Sequence, residues 1–275
     1  MLQSQNKWEG FSILIPFHHR HDLLFPLLQS LRDIPVLVVD DGDYETLFSS
    51  DIERIRGNRK GFAAAVNTGL AYLQKREIHT VLIMNDDVQI SKADIEKLWK
   101  ERSKKTIVSP VIHCNGAIIY GATIKSWGRV LANHSALTPS DAIYGTCMML
   151  PSSLRFDEQY RHGFEDLELC LRMVDQGYEI KIVEDAHCYH LGGGSLSTES
   201  MDGQRWATYG QLRLYSSLRK APLISLLSLS QVVRENGDKN RYVGFVKGIV
   251  DWLYKDCFSL AARIASSKGS SSKAK

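Results

Sequence analysis

Three short, almost wholly apolar runs set the frame of this chain: FSILIPF (Phe11–Phe17), VLVVDD after Pro35, and TVLIM (Thr80–Met84). Compact apolar runs of this length, without polar alternation, are strands covered on both faces. Between them lie stretches with helical spacing. One carries Leu23, Leu24, Leu27, Leu28 and Leu31; another opens at Gly61 and carries Ala64, Val66, Leu70 and Leu73. Residues 52–55 predict a short further strand, and Ser91 in SKAD predicts a helix N-cap followed by an acidic first turn. Strands alternating with helices build an α/β domain around a doubly wound, mostly parallel sheet. Such sheets hold ligands beyond the carboxyl ends of their strands, and two of those ends carry paired acids here, Asp40-Asp41 and Asp86-Asp87.

From Thr106 to about Leu150 the texture changes. Short strand-like pieces (IVSPVI, AIIYGA, YGTCMML) are separated by Gly, Asn and Pro, which predicts an antiparallel elaboration at one side of the sheet. Residues 164–176 have helical spacing and end at Gly177; YEIKIV then reads as a strand. From about Asp202 onward the pattern is helical and basic-amphipathic, and the Gly/Ser/Lys tail over 266–275 predicts disorder.

The net charge of +3 is too small to indicate a nucleic-acid partner. Five scattered cysteines without a CxxC pair predict reduced thiols rather than a disulfide framework. No stretch has the apolar length of a signal peptide core or a membrane span, so the expected location is the cytoplasm, or the cytosolic face of a membrane as a peripheral protein.

Two adjacent carboxylates closing a buried strand, Asp86 and Asp87, are costly to hold together without compensation. Either a hard divalent cation with oxygen ligands compensates them, as when such an ion bridges protein carboxylates to a diphosphate, or they form a solvated turn that caps the next helix. Glu165 and Asp166 stand at a helix entrance, where the dipole favours an ionised carboxylate. There they serve either as a general base or as simple caps. His187 and His190 precede a glycine-rich loop, a place for a metal ligand, a phosphate-binding backbone or a hydrogen-bonded loop histidine. The Cys/His spacing of a structural zinc site is missing. Asp40 and Asp41 suit a nucleobase or ribose contact, or a β-turn in which Gly42 takes positive φ.

As an ordered set these pieces resemble the family 2 glycosyltransferases, inverting enzymes with the GT-A fold. The resemblance runs from about Phe11 to Ser195: SILIP ending at Pro16, VVDDGD, NRKGFAAAVNTGL over 58–70, MNDDV over 84–88, GFEDLELCLR over 163–172, and His190 with Ser195 beyond it. It implies a donor site formed by Pro16, Asp40, Asp41, Asn58, Gly61, Asn67 and Asp86, with Asp40 or Asp41 holding the base. Asp87 would reach a Mn²⁺ or Mg²⁺ ion, with His190 as a second ligand or a diphosphate contact. Asp166 would be the catalytic base and Glu165 its neighbour in the motif. This chain departs from the family pattern in three places. FHHRHD follows the first strand, where Arg20 alone matches; Phe156 to Glu158 lack the usual preceding glycines; and Asn85 replaces an acid.

The implied activity is transfer of a hexose or deoxyhexose from a nucleoside-diphosphate sugar to a glycan or lipid-linked glycan, in bacterial-type polysaccharide or glycoconjugate synthesis. A catalytically degenerate module that binds nucleotide sugar, or acts as a scaffold, is the alternative. A nucleotidyltransferase or a dinucleotide oxidoreductase would need glycine-rich signatures after the first strand, and FHHRHD has none. The expected organisation is a catalytic domain over 1–200 (donor half to about 105, acceptor half over 106–200) and a helical extension over 201–265. Within that extension, residues 243–265 interleave apolar residues with Lys247, Lys255 and Arg263. This suits a helix lying on an anionic membrane, or one packed on the catalytic domain or on a second copy.

Overall fold

The computed structural model describes residues 7–42, 52–125, 130–192, 200–217 and 239–258. Two compact units divide the chain: Met1–Arg161 with Glu165–Gly194, and His162–Phe164 with Ser195–Lys275. The expected tail over 266–275 and Ser195 lie outside the described residues.

The first unit is built on a nine-stranded sheet. Its strands are β1 (Phe11–Phe17), β2 (Val36–Asp40), β3 (Glu53–Arg56), β4 (Thr80–Met84), β5 (Val88–Ile90), β6 (Thr106–Cys114), β7 (Ala117–Ile119), β10 (Cys147–Pro151) and β11 (Glu179–His190). The order is β3-β2-β1-β4-β10-β6-β11-β5, with β7 paired to β6. β1, β2, β3 and β4 are mutually parallel, as are β6 and β11, whereas β10 runs antiparallel between β4 and β6. Two further strands, β8 (Ala122–Ile124) and β9 (Val130–Ala132), form a separate antiparallel pair.

Helices cover both faces, which is why β1, β2 and β4 are almost wholly apolar. Leu24, Leu27 and Leu31, in and just after α1 (His21–Ser30), share one core with Ile95 and Leu98 of α3 (Lys92–Glu101) and with Ile13 and Ile15 of β1. The side chain between them, Leu14, points the other way: a methyl placed on Gly69 of α2 (Phe62–Lys75) would sit 2.3 Å from its Cδ1. Ser91 caps α3 as its sequence predicts, accepting the Asp94 N–H at 3.1 Å. The remaining helix of this unit, α4 (Glu165–Asp175), follows two residues with left-handed backbone, Gly163 and Phe164 (φ 80° and 72°). A bulky residue rarely adopts that conformation unless its surroundings hold it there.

Two expectations need correction. The 106–150 stretch is not wholly a side elaboration, because β6 and β10 lie inside the main sheet and only β8 and β9 stand apart. The last strand does not stop at Val183. It passes an irregularity between Val183 and His187 and continues to His190, where it pairs with β5, a strand too short to announce itself in the sequence. Among the described residues four cysteine side chains are free thiols, as expected, and no helix is long and apolar enough to cross a membrane.

The second unit contains α5 (Met201–Ser217) and α6 (Lys239–Trp252), with a π-helical turn, Leu253–Phe258, after α6.

Candidate functional site

The carboxyl ends of β1 and β2 form a shelf organised by two acids. Asp40 is buried and committed: its Oδ1 accepts the Gly42 N–H at 3.0 Å, and its Oδ2 lies 3.5 Å from Arg54 Nη1 on β3. Asp41 shapes the loop before α2, accepting the N–H groups of Arg59 (2.6 Å) and Gly61 (3.4 Å). Gly61, with φ 98°, is required twice over, since a Cβ there would also meet Arg161 O at 2.6 Å. Asn58 turns the same loop by accepting the Lys60 N–H at 3.1 Å. Gly42 does not take the positive φ suggested by DDGD; glycine is needed there because a Cβ would lie 1.9 Å from His18 O. Pro16 is paired opposite Val39, one residue before the strand end.

Asn67 is a clamp within this unit. Its amide nitrogen donates to Phe156 O (2.9 Å) and Glu158 Oε1 (3.0 Å), and its Oδ1 accepts the Phe156 N–H at 2.9 Å. The FDE segment that follows β10 is thus tied to α2. Asn67→Ala would strip two buried backbone groups of their partners, at about 1–3 kcal/mol each. The expected result is a melting temperature lower by roughly 5–15 °C, measured by calorimetry on the full chain.

At the end of β4 the chain turns sharply. The Asn85 N–H donates to Thr146 O at 3.0 Å, and the two acids follow. Burial, reinforced by the charge of Asp87, raises the Asp86 carboxyl to about 6. Asp87 is buried; its Oδ2 lies 3.1 Å from His190 Nε2, and its backbone oxygen accepts the Leu191 N–H at 2.9 Å. Behind the imidazole, Cys114 Sγ is 3.4 Å from His190 Nδ1. Burial first and Asp87 second raise the Cys114 thiol, which keeps it protonated. A thiol donating to Nδ1 leaves the proton of the neutral ring on Nε2, where it is donated to Asp87. In this arrangement His190 orients Asp87 Oδ2, while the buried Oδ1 has no hydrogen-bond partner among the described residues. Arg20, bound to Asp22 through Nε (3.1 Å) and Nη2 (3.0 Å), also feels the charges of Asp86 and Asp87. A cavity of about 440 Å³ opens beside these acids, between Leu23 and Leu27 of α1 and Val88 and Ile90 of β5.

Asp166 reaches the same edge of the sheet from α4. Its Oδ2 accepts the Gly145 N–H at 2.8 Å and its Oδ1 accepts the Leu167 N–H at 2.8 Å. Gly145 precedes Thr146, the residue that holds Asn85, and β10 then pairs Cys147 with Met84 at the end of β4. Asp166 is therefore anchored to the backbone that carries Asn85-Asp86-Asp87. Burial raises the Asp166 carboxyl above the usual carboxylate range, opposed by its backbone donors. Beside it, burial and the Asp166 charge push the Tyr144 hydroxyl up to about 12. Glu165 is buried in the first turn of α4.

The Asp87 surroundings suit a hard divalent cation. An orphaned, buried carboxylate oxygen and a neighbouring carboxyl raised to about 6 are the marks of an uncompensated charge site. Among the described residues no group of three or more His, Cys, Asp or Glu side chains converges as a ligand set. Ions of the Mg²⁺ type take one or two carboxylates and fill the other positions with water and substrate phosphate.

A mostly parallel sheet wound with helices on both faces, with acids at the carboxyl ends of β2 and β4, is a GT-A architecture. Residues 12–120 match the model of the family described as "Glycosyl transferase family 2". The "Low-salt glycan biosynthesis hexosyltransferase Agl10" of Haloferax volcanii is 27% identical over 152 residues, which is 48% of this chain and 50% of the relative. The chain thus spans about half the length of the curated relative it matches. Among solved structures, GalNAc-T7 with UDP, GalNAc and Mn²⁺ superposes with a TM-score of 0.60 at 14% identity, covering 92% of this chain and 57% of that one. The mannosyltransferase PcManGT from Pyrobaculum calidifontis, in complex with GDP-Man and Mn²⁺, does so with a TM-score of 0.52 at 11% identity, covering 94% and 79%. At these identities the two structures establish the shared fold.

Proposed function

We propose that the chain is an inverting glycosyltransferase that moves a sugar from a nucleoside-diphosphate sugar to an acceptor hydroxyl, with a divalent cation at Asp87. The observation that carries this reading is the Asp166–Gly145 hydrogen bond at 2.8 Å. It ties a helix-entrance carboxylate to the turn bearing Asp86 and Asp87. A base and a diphosphate-neutralising site on one edge of a sheet are what a displacement at an anomeric carbon needs.

Asp40, Asp41, Asn58 and Gly61 build the shelf for the nucleoside half of the donor, largely through backbone held by the two acids. Asp87 and Asp86 would hold the cation, with His190 orienting Asp87. When bound, the ion neutralises the oxygens of the departing diphosphate. Asp166 takes the proton of the acceptor hydroxyl as the new C–O bond forms. The old bond from the anomeric carbon breaks, and its electron pair leaves with the nucleoside diphosphate. Charge develops on an oxocarbenium-like sugar, as in glycoside hydrolysis. Both oxygens of Asp166 already accept one backbone N–H each, and each keeps a lone pair for that proton.

The test is a thermal-shift screen of UDP-, GDP- and dTDP-sugars with and without Mn²⁺, followed by detection of released nucleoside diphosphate with simple glycan acceptors. Ligands that bind the folded state raise its melting temperature by mass action. Metal-dependent stabilisation by one donor class, followed by release and a product of inverted anomeric configuration, is expected. A retained anomer would remove Asp166 as the base of a single displacement, and no stabilisation by any donor would sink the reading as a whole.

A further inference from the structure

The second unit carries a surface whose orientation is set by its own helix packing. On α6, Gly244 and Gly248 lie against α5 at backbone distance. A Cβ on Gly244 would come within 2.2 Å of Met201 O, and one on Gly248 within 2.6 Å of Arg205 O. Only glycine permits this approach, so the rotation of α6 about its axis is fixed. Asp251 reinforces it, receiving Arg205 through Nε (2.5 Å) and Nη2 (3.1 Å). Phe245 is buried on the same side.

At 100° per residue, the opposite face collects Tyr242, Val246, Val250 and Leu253 at a spacing of four, four and three. All are exposed, Val246 and Val250 at 57%, with Tyr254 at 75% beside them. β-branched aliphatics that open to solvent, aligned on one stripe, are not explained by contact with α5. The charges around the stripe have one sign. Lys239 and Lys247 are exposed beside it, Lys247 with its Nζ 3.4 Å from Met201 Sδ on α5. The two carboxylates described on this helix and its π-turn are neutralised, Asp251 by Arg205 and Asp256 by Arg213. Lys255 is turned instead onto α5, over the rings of Trp206 (5.2 Å) and Tyr209 (5.1 Å).

We propose that this face of α6 docks on an anionic lipid surface, with Val246 and Val250 entering the interface and Lys239 and Lys247 meeting the headgroups. An apolar stripe with a cationic rim, and with the described carboxylates of its own helix and π-turn paired, matches an anionic membrane in both hydrophobicity and charge. A second copy of the chain would present the same cations to this rim, which disfavours self-association through it.

The test is co-sedimentation of the full chain with vesicles of phosphatidylcholine alone and with one-third phosphatidylglycerol, together with sedimentation velocity. Binding to the anionic vesicles only, weakened by salt, is expected from a monomeric protein. Val246→Asp with Val250→Asp should lower the partition coefficient ~10-fold or more, and Lys239→Glu with Lys247→Glu should act similarly. Circular dichroism checks the fold, and Val246→Ser with Val250→Ser replaces the aspartate pair if that pair misfolds. Absence of binding to anionic vesicles, equal binding by the variants, or a dimer that Val246→Ser with Val250→Ser dissociates would each overturn the proposal. Donor binding in the thermal-shift screen is unaffected by any of these results and reports on the first unit alone.

Discussion

Asp166→Asn is expected to lower turnover by ~10²–10⁴-fold, the range for losing a single general base, while metal-dependent binding of the nucleotide sugar persists. The substitution keeps size and shape, but its single oxygen can replace only one of the two carboxylate acceptors of Gly145 and Leu167, so an unchanged donor dissociation constant together with an unchanged circular dichroism spectrum is what separates a loss in kcat from a folding defect. The pH profile supplies an independent readout. Burial raises the Asp166 carboxyl, so the ionised form needed for proton removal disappears at a higher pH than the ~3.9 of an ordinary aspartate. Activity should therefore fall along an acid limb displaced upward. The stability linkage has the opposite sign: a carboxyl whose folded pKa is raised gains stability from protonation as pH falls through that value. Loss of rate along this limb should consequently precede unfolding, which far-ultraviolet circular dichroism across the same pH range checks. Near-normal turnover in Asp166→Asn would remove this residue from the mechanism.

The ease with which the fold could be read follows from where each element takes its stability. β1, β2 and β4 are buried on both faces, so FSILIPF, VLVVD and TVLIM declare themselves without reference to anything else in the chain. The Ser91 cap is equally local. By contrast, β5 has three residues and exists because β11 continues past an irregularity to pair with it. β10 enters between β4 and β6 through pairings with residues more than forty positions distant (Met149 with Val108, for example). No local periodicity records such partners. The candidate site divides in the same way. The acids stood out as residue types at strand ends, but Gly145 entered only as a backbone donor, and a backbone N–H has no residue signature. Asn67 shows the converse. Its side chain was expected beside the donor on resemblance alone, and its hydrogen bonds are spent on Phe156 and Glu158. Cys114, seen in the sequence only as one unpaired thiol, becomes the support behind His190 because β6 and β11 end side by side.

Asp87→Ala is expected to act differently, removing the metal dependence of donor binding rather than the proton transfer. Among the described residues, Asp87 has a buried carboxylate oxygen left unpartnered, and burial raises the neighbouring Asp86 carboxyl to about 6. A cation held at Asp87 would stabilise developing phosphate charge by several kcal/mol, and each 1.36 kcal/mol corresponds to tenfold in rate. The expected loss in kcat/KM is therefore ~10²–10³-fold, with Mn²⁺ no longer strengthening nucleotide binding in calorimetric titrations. Asp87→Asn discriminates the electrostatic role from the structural one. It keeps an oxygen within reach of the imidazole of His190, so the melting temperature without ligand should stay close to that of the parent chain while the Mn²⁺ response is still lost. His190→Gln, which leaves Asp87 charged but frees its Oδ2 from the imidazole, should retain a metal response with reduced affinity, because in this geometry His190 orients the carboxylate. An unchanged Mn²⁺ dependence in Asp87→Asn would instead move the cation away from this turn, and with it the reason for two acids at the end of β4.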